Sequence, residues 1–167
     1  MLELRQMATA FLFHNDSVLM MKKVKPASST DVFWTGLGGH LEPYEWNSPK
    51  SACLREIFEE SGIKEHEVEG LTLRYILLRI KEHEIRQQFV YFGTTEQTNW
   101  IESAEGELHW VHRDEVLHLQ LSRIIHYMIK HYNDHPHHKA IMIGTIARDT
   151  TDEPFIQWAE LTDPIIF

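Results

Sequence analysis

Gly39-His-Leu-Glu-Pro-Tyr-Glu45 and, further along, Arg55-Glu-Ile-Phe-Glu-Glu-Ser-Gly-Ile63 are the stretches that decide the fold of this chain. Glu56, Glu59 and Glu60 are spaced i, i+3 and i+4, so on a helix their carboxylates share one face, with Cβ atoms about 5–6 Å apart. Like charges at this spacing repel one another unless Arg55, Lys64 or a bound metal compensates them. Hard divalent cations such as Mg²⁺ take oxygen ligands, which makes the three glutamates candidate metal ligands.

An ordinary solvated helix face is the alternative interpretation of these glutamates. The neighbouring residues favour the metal site. Gly36-Leu-Gly-Gly39 predicts a glycine-rich loop whose backbone can approach a ligand closely. Ser48 and Pro49 predict a helix N-cap and first helical position, and Gly62 predicts the residue just past the helix end. The predicted order is a strand, a glycine loop and a helix that carries the acids in its second half.

The same residues resemble the Nudix box, in which Gly, five residues, Glu and seven residues precede Arg-Glu-apolar-x-Glu-Glu-x-Gly-apolar. Gly39 and Glu45 have the family spacing, and residues 55–63 match every specified position. The spacer 46–54 has nine residues instead of seven, which we interpret as a two-residue insertion, Trp46-Asn47, ahead of the helix. The insertion is expected to preserve the helix register and to place Glu45 further from the arginine of the motif.

The resemblance implies a set of metal-site residues. The main ligands are expected to be Glu56 and Glu60, with Glu59 assisting directly or through water and the backbone carbonyl of Gly38 completing the shell. Glu59 and Glu60 are also expected to be catalytic residues. Mg²⁺ is the implied cofactor, and Mn²⁺ is its substitute. Arg55 is counted with the catalytic residues because we expect it to orient the acids through charge-assisted hydrogen bonds.

Apolar runs separated by turn residues predict the other elements. Two hairpins are expected, one over 7–22 and one over 71–92, with a loop at 24–32. A strand at 107–111, an amphipathic helix at 121–132 and a last strand at 141–146 follow. This order predicts an α/β fold with a mixed sheet between helices, which the resemblance makes a Nudix α/β/α sandwich. Residues 1–167 are expected to form a single domain, with the Nudix box at 39–63.

One further acid is expected from the segment 102–110. In the oxidised-purine triphosphatases of the family, the functional glutamate stands five residues before a tryptophan that begins the next strand. Glu105 has this position relative to Trp110. The resemblance therefore makes Glu105 a candidate general base or extra ligand, and the alternative is one acid among several in a solvated loop.

The substrate class follows from a similarity to the MutT-like, nucleotide-pool sanitising branch, which hydrolyses 8-oxo-dGTP and related triphosphates to monophosphates. The similar segments are 18–23 and 33–39. Phe33 or Trp34 is a candidate to stack on a purine, and Lys22 or Lys23 to meet phosphates. Core aromatics and edge-strand lysines are the alternative roles of these four residues.

Two classes of function remain open. The first is a metal-dependent diphosphatase of a nucleoside triphosphate, with ADP-ribose, another nucleotide sugar or a dinucleoside polyphosphate as the next candidates. The second is a non-catalytic module that binds a nucleotide as a sensor. The complete set of acids favours the enzyme, because a binding module has less need of a repulsive carboxylate cluster.

Composition sets broader limits. The net charge of −9 and the lack of a run of Lys and Arg disfavour a nucleic-acid polymer as partner. The N-terminus lacks a signal-peptide pattern, and no apolar run approaches the roughly 20 residues that span a bilayer, so a cytoplasmic protein without a membrane partner is expected. Cys53, the one cysteine, is predicted to pack in a helix.

Two further segments lie near the C-terminus. The tail 148–167 is too apolar for a disordered end, so we expect it to pack on the body, cap a pocket or meet another subunit, which allows a homodimer. Four histidines gather at 131–138 without a cysteine or a pair of acids beside them, and they are assigned no function.

Overall fold

The computed structural model of the protein describes residues 1–24 and 31–163, and in these ranges nine strands form a single mixed sheet. The strands and helices, in chain order, are β1 (Glu3–His14), β2 (Ser17–Val24), β3 (Val32–Thr35), β4 (Leu37–His40), α1 (Pro49–Ser61), β5 (Glu69–Lys81), β6 (Glu84–Thr94), β7 (Glu107–His112), α2 (Arg123–Asp134), β8 (Met142–Arg148) and β9 (Pro154–Glu160). No helix in these ranges is long and apolar enough to cross a membrane.

The strand order along the sheet is β3-β2-β1-β6-β5-β8-β9, with β4 paired to β1 and β7 paired to β2. The pairs β1·β6 and β5·β8 are parallel, and the other pairs are antiparallel. The mixed sheet predicted from the sequence is therefore confirmed.

Alternate residues of β1 divide the core into two parts, because successive side chains of a strand point to opposite faces. Ala8, Ala10 and Leu12 are buried with the apolar side of α1, whereas Phe11 and Phe13 are buried with the apolar side of α2. The two helices therefore cover opposite faces of the sheet, which is the predicted α/β/α layering.

Most of the predicted elements are confirmed. The hairpin β1–β2 turns at Asn15, whose φ of 49° suits the left-handed conformation that asparagine tolerates. The hairpin β5–β6 turns at Glu82, with a φ of 57°. The strand β7, the helix α2 and the strand β8 lie within two residues of their predicted bounds.

The predicted glycine loop at 36–39 is wrong, because Leu37–His40 is the strand β4. It pairs antiparallel with β1, with Thr9 opposite Gly38 and Ala8 opposite Gly39. A Cβ atom on Gly38 would lie 2.1 Å from the carbonyl oxygen of Ala8. The glycines therefore permit two strands to approach closely, rather than allowing the chain to loop.

The strand predicted at 141–146 is β8, but it is not the last strand, because β9 follows β8 and pairs with it along its whole length. Trp158 of β9 packs against the buried cluster on the α2 side. The strand was missed because it lies at the sheet edge, alternates exposed and half-buried residues and begins with Pro154. Residues 164–167 of the expected tail and 25–30 of the expected loop lie outside the described residues.

Candidate active site

The helix α1 presents the acidic residues, and its ends lie where the sequence predicts them. Pro49 occupies the first turn after the N-cap residue Ser48, and Gly62 ends the helix in the left-handed conformation with a φ of 76°. The N–H of Gly62 donates to the carbonyl oxygen of Phe58 at 2.8 Å. The Ser48 hydroxyl does not cap the backbone; it lies 2.7 Å from the hydroxyl of Ser51.

Glu60 is the most deeply buried acid of α1, with 2% of its surface exposed. The backbone N–H of Gly38 donates to its Oε2 at 2.7 Å, and Lys23 Nζ donates to its Oε1 at 3.0 Å. Burial raises the pKa of the Glu60 carboxyl, and the two donors, Lys23 above all, oppose that shift. The carboxyl thus joins the helix to β2 and β4.

Glu56 lies directly beneath β4. A Cβ atom on Gly39 would lie 2.4 Å from Glu56 Oε1 and 2.8 Å from Oε2, so no side chain fits between this strand and the carboxylate. Burial raises the pKa of the Glu56 carboxyl, while Arg55 opposes the shift. The glycine of the motif is therefore required by the close approach of the acid.

Arg55 holds the remaining acids in place. Its Nε and Nη2 donate to the two oxygens of Glu45 at 2.8 and 3.0 Å, in a bidentate pair. Its Nη1 donates to Glu56 and to Glu59, each at 2.9 Å, and Nη2 also donates to the backbone oxygen of His40 at 3.1 Å. The hydrogen bonds with Glu45 and then Glu56 raise the pKa of the guanidinium above its ordinary value, so it stays charged.

The expectation that the Trp46-Asn47 insertion would move Glu45 away from Arg55 is wrong. Glu45 is 4% exposed and bonds to Arg55 with both oxygens, and this hydrogen bonding lowers the pKa of its carboxyl. The inserted residues form a turn that closes where Ser48 N–H donates to the carbonyl oxygen of Glu45 at 2.7 Å. The turn absorbs the extra length, and the Trp46 side chain remains exposed.

Lys23 connects the acids of α1 with the segment before β7. Besides Glu60, its Nζ donates to Glu105 Oε2 at 3.3 Å, and Glu105 is 66% exposed. Lys22 is next to it in β2 and its Nζ lies 3.5 Å from Glu107 instead. The structure therefore brings Lys23 and Glu105 to the acidic cluster and leaves Lys22 beside it.

Phe33 and Trp34 line a cavity of about 200 Å³ that reaches Gly38 and Gly39. The Trp34 ring meets the ring of His109 edge to face, with centroids 5.3 Å apart. The cavity therefore lies beside the backbone that bonds Glu60, with an aromatic wall on one side.

Two polar residues of this cavity, Arg79 and Gln88, were missed from the sequence. They belong to β5 and β6, far along the chain from the motif. A signal existed in β5, where Arg79 follows the buried residues Tyr75 and Leu77 at the strand period of two. A charged residue in an inward-facing series marks a place where the sheet faces a cavity or a ligand.

The donor atoms of the acidic cluster suit a hard divalent cation. Glu56, Glu59, Glu60 and the carbonyl of Gly38 supply oxygen only, which is the set that Mg²⁺ prefers. Within 1–24 and 31–163, no three His, Cys, Asp or Glu side chains lie grouped as they would around a metal ion. The carboxylates of Glu56, Glu59 and Glu60 form ion pairs with Arg55 or Lys23 instead. The chemistry of these donor atoms fits the ion.

Comparison with known proteins gives one family and a shared fold. A family model described as the NUDIX domain matches residues 4–132. The structure of a MutT protein from Bacillus halodurans is similar, with a TM-score of 0.71 at 24% identity over 92% of this chain and 97% of that one. A NUDIX hydrolase from Nitrosomonas europaea gives a TM-score of 0.70 at 19% identity, over 87% and 80% of the two chains. An Ap4A hydrolase from C. elegans gives 0.59 at 13% identity, over 80% and 96%.

Proposed function

The chain belongs to the Nudix family and is a Nudix pyrophosphohydrolase, and from this premise we propose that it hydrolyses a nucleoside triphosphate with Mg²⁺ as its metal and Mn²⁺ as a substitute. The carrying observation is the cluster in which Arg55 and Gly38 orient the acids of one helix turn. Such a cluster is repulsive unless cations balance it, and a diphosphate brings cations with it. The preferred substrate is an oxidised purine triphosphate such as 8-oxo-dGTP, cleaved to the monophosphate and pyrophosphate.

Glu56 and Glu60 would hold the metal, with Glu59 and the carbonyl of Gly38 completing its shell. When bound, the metal neutralises charge on phosphoryl oxygens and makes a water more acidic. Arg55 keeps the acids in their rotamers through its five hydrogen bonds and does not itself touch the substrate.

Lys23 and Glu105 have the next roles in the proposal. The Lys23 ammonium lies between Glu60 and Glu105, at the mouth of the acidic cluster, and would donate to a phosphate oxygen of the substrate. Glu105 is exposed and shares Lys23 with Glu60, and it would accept a proton from the attacking water as the general base. Lys22, which lies beside Glu107, would meet a phosphate further out.

The cavity beside Gly38 would receive the nucleoside. Phe33 or Trp34 would stack on the base, because an aromatic ring binds the face of a base without reading its edge. The names of the similar structures, a MutT protein and an Ap4A hydrolase, support two substrate types. A dinucleoside polyphosphate, or ADP-ribose or another nucleotide sugar, is therefore the second candidate.

Product analysis with a matched pair of variants tests the proposal. The protein, with Mg²⁺ and then Mn²⁺, would be incubated with canonical and oxidised triphosphates, ADP-ribose and diadenosine polyphosphates, and the products identified by chromatography. Glu60→Gln should abolish turnover, whereas the control Glu65→Gln changes an exposed acid just past the helix and should leave it unchanged. An active Glu60→Gln would refute the site, and a lack of turnover in the wild type would favour the nucleotide-binding module.

A further inference from the structure

Three arginines lie side by side across three neighbouring strands. Arg5 of β1 is opposite Arg86 of β6, and Arg86 is opposite Arg79 of β5. Residues paired in this way point to the same face of the sheet. Like charges directly opposite one another destabilise a sheet, so a row of three needs a compensating anion.

A single acid compensates two of the three. Glu84 accepts a hydrogen bond from Arg86 Nε and forms ion pairs with Arg86 and Arg5, each with an N···O distance of 2.8 Å. No carboxylate within the described ranges forms an ion pair with Arg79. The half-buried guanidinium of Arg79 therefore faces Arg86 without an anion of its own, in a protein whose net charge is −9. Burial, together with Arg86, lowers its pKa, yet an arginine remains charged at any physiological pH.

The adjacent row of paired residues, towards the β5–β6 turn, supplies no further anion to Arg79. Glu3 and Lys81 lie opposite Glu84 on its two sides, and both are exposed. Lys81 is the nearer of the two to Arg79, since both belong to β5 and point to the same face. The positive charge that no acid among the described residues balances is therefore that of Arg79.

Arg79 is also the arginine that reaches the cavity beside the acidic cluster. This cavity of about 200 Å³ is lined by Arg79 and Gln88 on one side and by Trp34, Gly38 and Gly39 on the other. A molecule held at Gly38 through its diphosphate thus has an aromatic ring and then a guanidinium within reach. A neutral base or sugar would leave the charge of Arg79 without a partner.

We propose that Arg79, supported by Arg86 and Arg5, binds a second anionic group of the substrate, a phosphate that is not part of the cleaved anhydride. A guanidinium offers two parallel N–H groups that match two phosphate oxygens, which makes arginine the residue suited to this contact. The inference rests on the proposed function for the position of the cleaved diphosphate. It revises the preferred substrate to a nucleotide that carries a further phosphate at the far end of the cavity, because 8-oxo-dGTP has no phosphate outside its triphosphate.

Anion binding without metal tests the subsite directly. Pyrophosphate would be titrated by calorimetry, in EDTA and at low salt, into the wild type, Arg79→Gln and the matched control Lys81→Gln. Arg79→Gln should weaken binding about tenfold or more, and Lys81→Gln, which removes the same charge from the same strand face, should change it less than about twofold. Equal affinity of the wild type and Arg79→Gln, or an equal loss in both variants, would overturn the proposal.

A stability measurement separates binding from a structural role. Removing Arg79 relieves its repulsion with Arg86 and breaks no ion pair among the described residues, so Arg79→Gln should unfold at the same or a higher urea concentration than the wild type. A clear fall in the urea midpoint would mean that Arg79 supports the fold, which contradicts the assignment.

The variant Glu60→Gln distinguishes this proposal from the proposed function. It should lose hydrolysis and still bind pyrophosphate in EDTA at least as tightly as the wild type, because Arg79 is unchanged. If Glu60→Gln remained active, the catalytic assignment would fail, while the comparison of Arg79→Gln with Lys81→Gln would still decide the arginine subsite. Weak pyrophosphate binding in Glu60→Gln, together with loss of turnover, would count against the arginine subsite alone.

Discussion

At the scale of single residues, the acids of α1 are held in place by a few neighbouring donors. Glu60 is almost fully buried, and it is stabilised there by the ammonium of Lys23 and the N–H of Gly38. Arg55 stabilises Glu45, Glu56 and Glu59 in the same way, through ion pairs. Arg55 thus joins three carboxylates, and Lys23 joins Glu60 to Glu105, so a substitution that moves one carboxylate also disturbs those that share its cation.

Gly39→Ala tests the close approach of β4 to α1. The new Cβ atom would meet Glu56 Oε1 at 2.4 Å, so the carboxylate must shift. We expect kcat to fall by about 100-fold, the effect of displacing a catalytic group by about 1 Å, with a smaller change in the urea midpoint. Steady-state kinetics and urea unfolding measure the two effects, and a kcat within threefold of the wild type would show that Glu56 can move without loss.

Glu105→Gln tests the proposed general base. If Glu105 takes the proton from water, kcat should fall by about 100-fold or more while KM changes little. Glu102→Gln is the matched control, because it changes another exposed acid of the same segment. An unchanged kcat in Glu105→Gln would assign Glu105 to the solvated loop, with its contact to Lys23 as its only role.

At the scale of elements, the helix α1 has its acidic residues on one side and its buried apolar residues on the other. Ala52, Cys53 and Ile57 are fully buried against β1, while the acids face β4 and solvent. The helix cannot rotate to relieve repulsion among its acids without exposing this apolar side. Packing therefore holds the carboxylates together against their own repulsion.

The thiol of Cys53 reports on this packing. Burial raises its pKa to about 12, so the thiolate that reacts with disulfide reagents is scarce at pH 8. We expect the native protein to react with such a reagent only as α1 leaves the sheet, and the unfolded protein in urea to react at once. Reaction followed by absorbance checks this, and rapid modification of the native protein would mean that α1 opens readily.

At the scale of the whole molecule, the end of α2 packs against β5 and β9 around the titratable group of His131. The His131 ring lies 4.4 Å from His135 and 4.5 Å from Trp158, between centroids, and its Nδ1 is 3.1 Å from the hydroxyl of Tyr75. Burial, and then the neighbouring His135 and His138, lower the pKa of His131 below 6.5. The fold therefore favours the neutral imidazole.

Stability should consequently decrease in acid. Between the folded and unfolded pKa values of His131 the unfolded chain binds more protons, so the free energy of unfolding falls as the pH drops below 6.5 and is constant above it from this cause. Urea unfolding at pH 7.5 and 5.5 measures the loss. His131→Gln should reduce the pH dependence, and the exposed His137→Gln should not; an equal effect of both would contradict the role of His131.

Local patterns in the sequence were sufficient for several features of the fold. The spacing of Glu56, Glu59 and Glu60 and the end of the helix at Gly62 depend only on neighbours within one or two turns, and they were predicted correctly. The two hairpins follow from alternation and turn residues for the same reason. The matches at 39–45 and 55–63 were enough for the family.

What the sequence by itself determined is therefore the helix of acids, the hairpins and the family, because each depends on residues close together in the chain. Only the tertiary structure decided that Gly38 and Gly39 belong to a strand and that Lys23 bonds to Glu60. It also decided that Arg79 lines the cavity beside Gly38. These contacts join residues separated by tens of positions, and strand register sets them. Register depends on how both faces of the sheet pack at once, which no local pattern records.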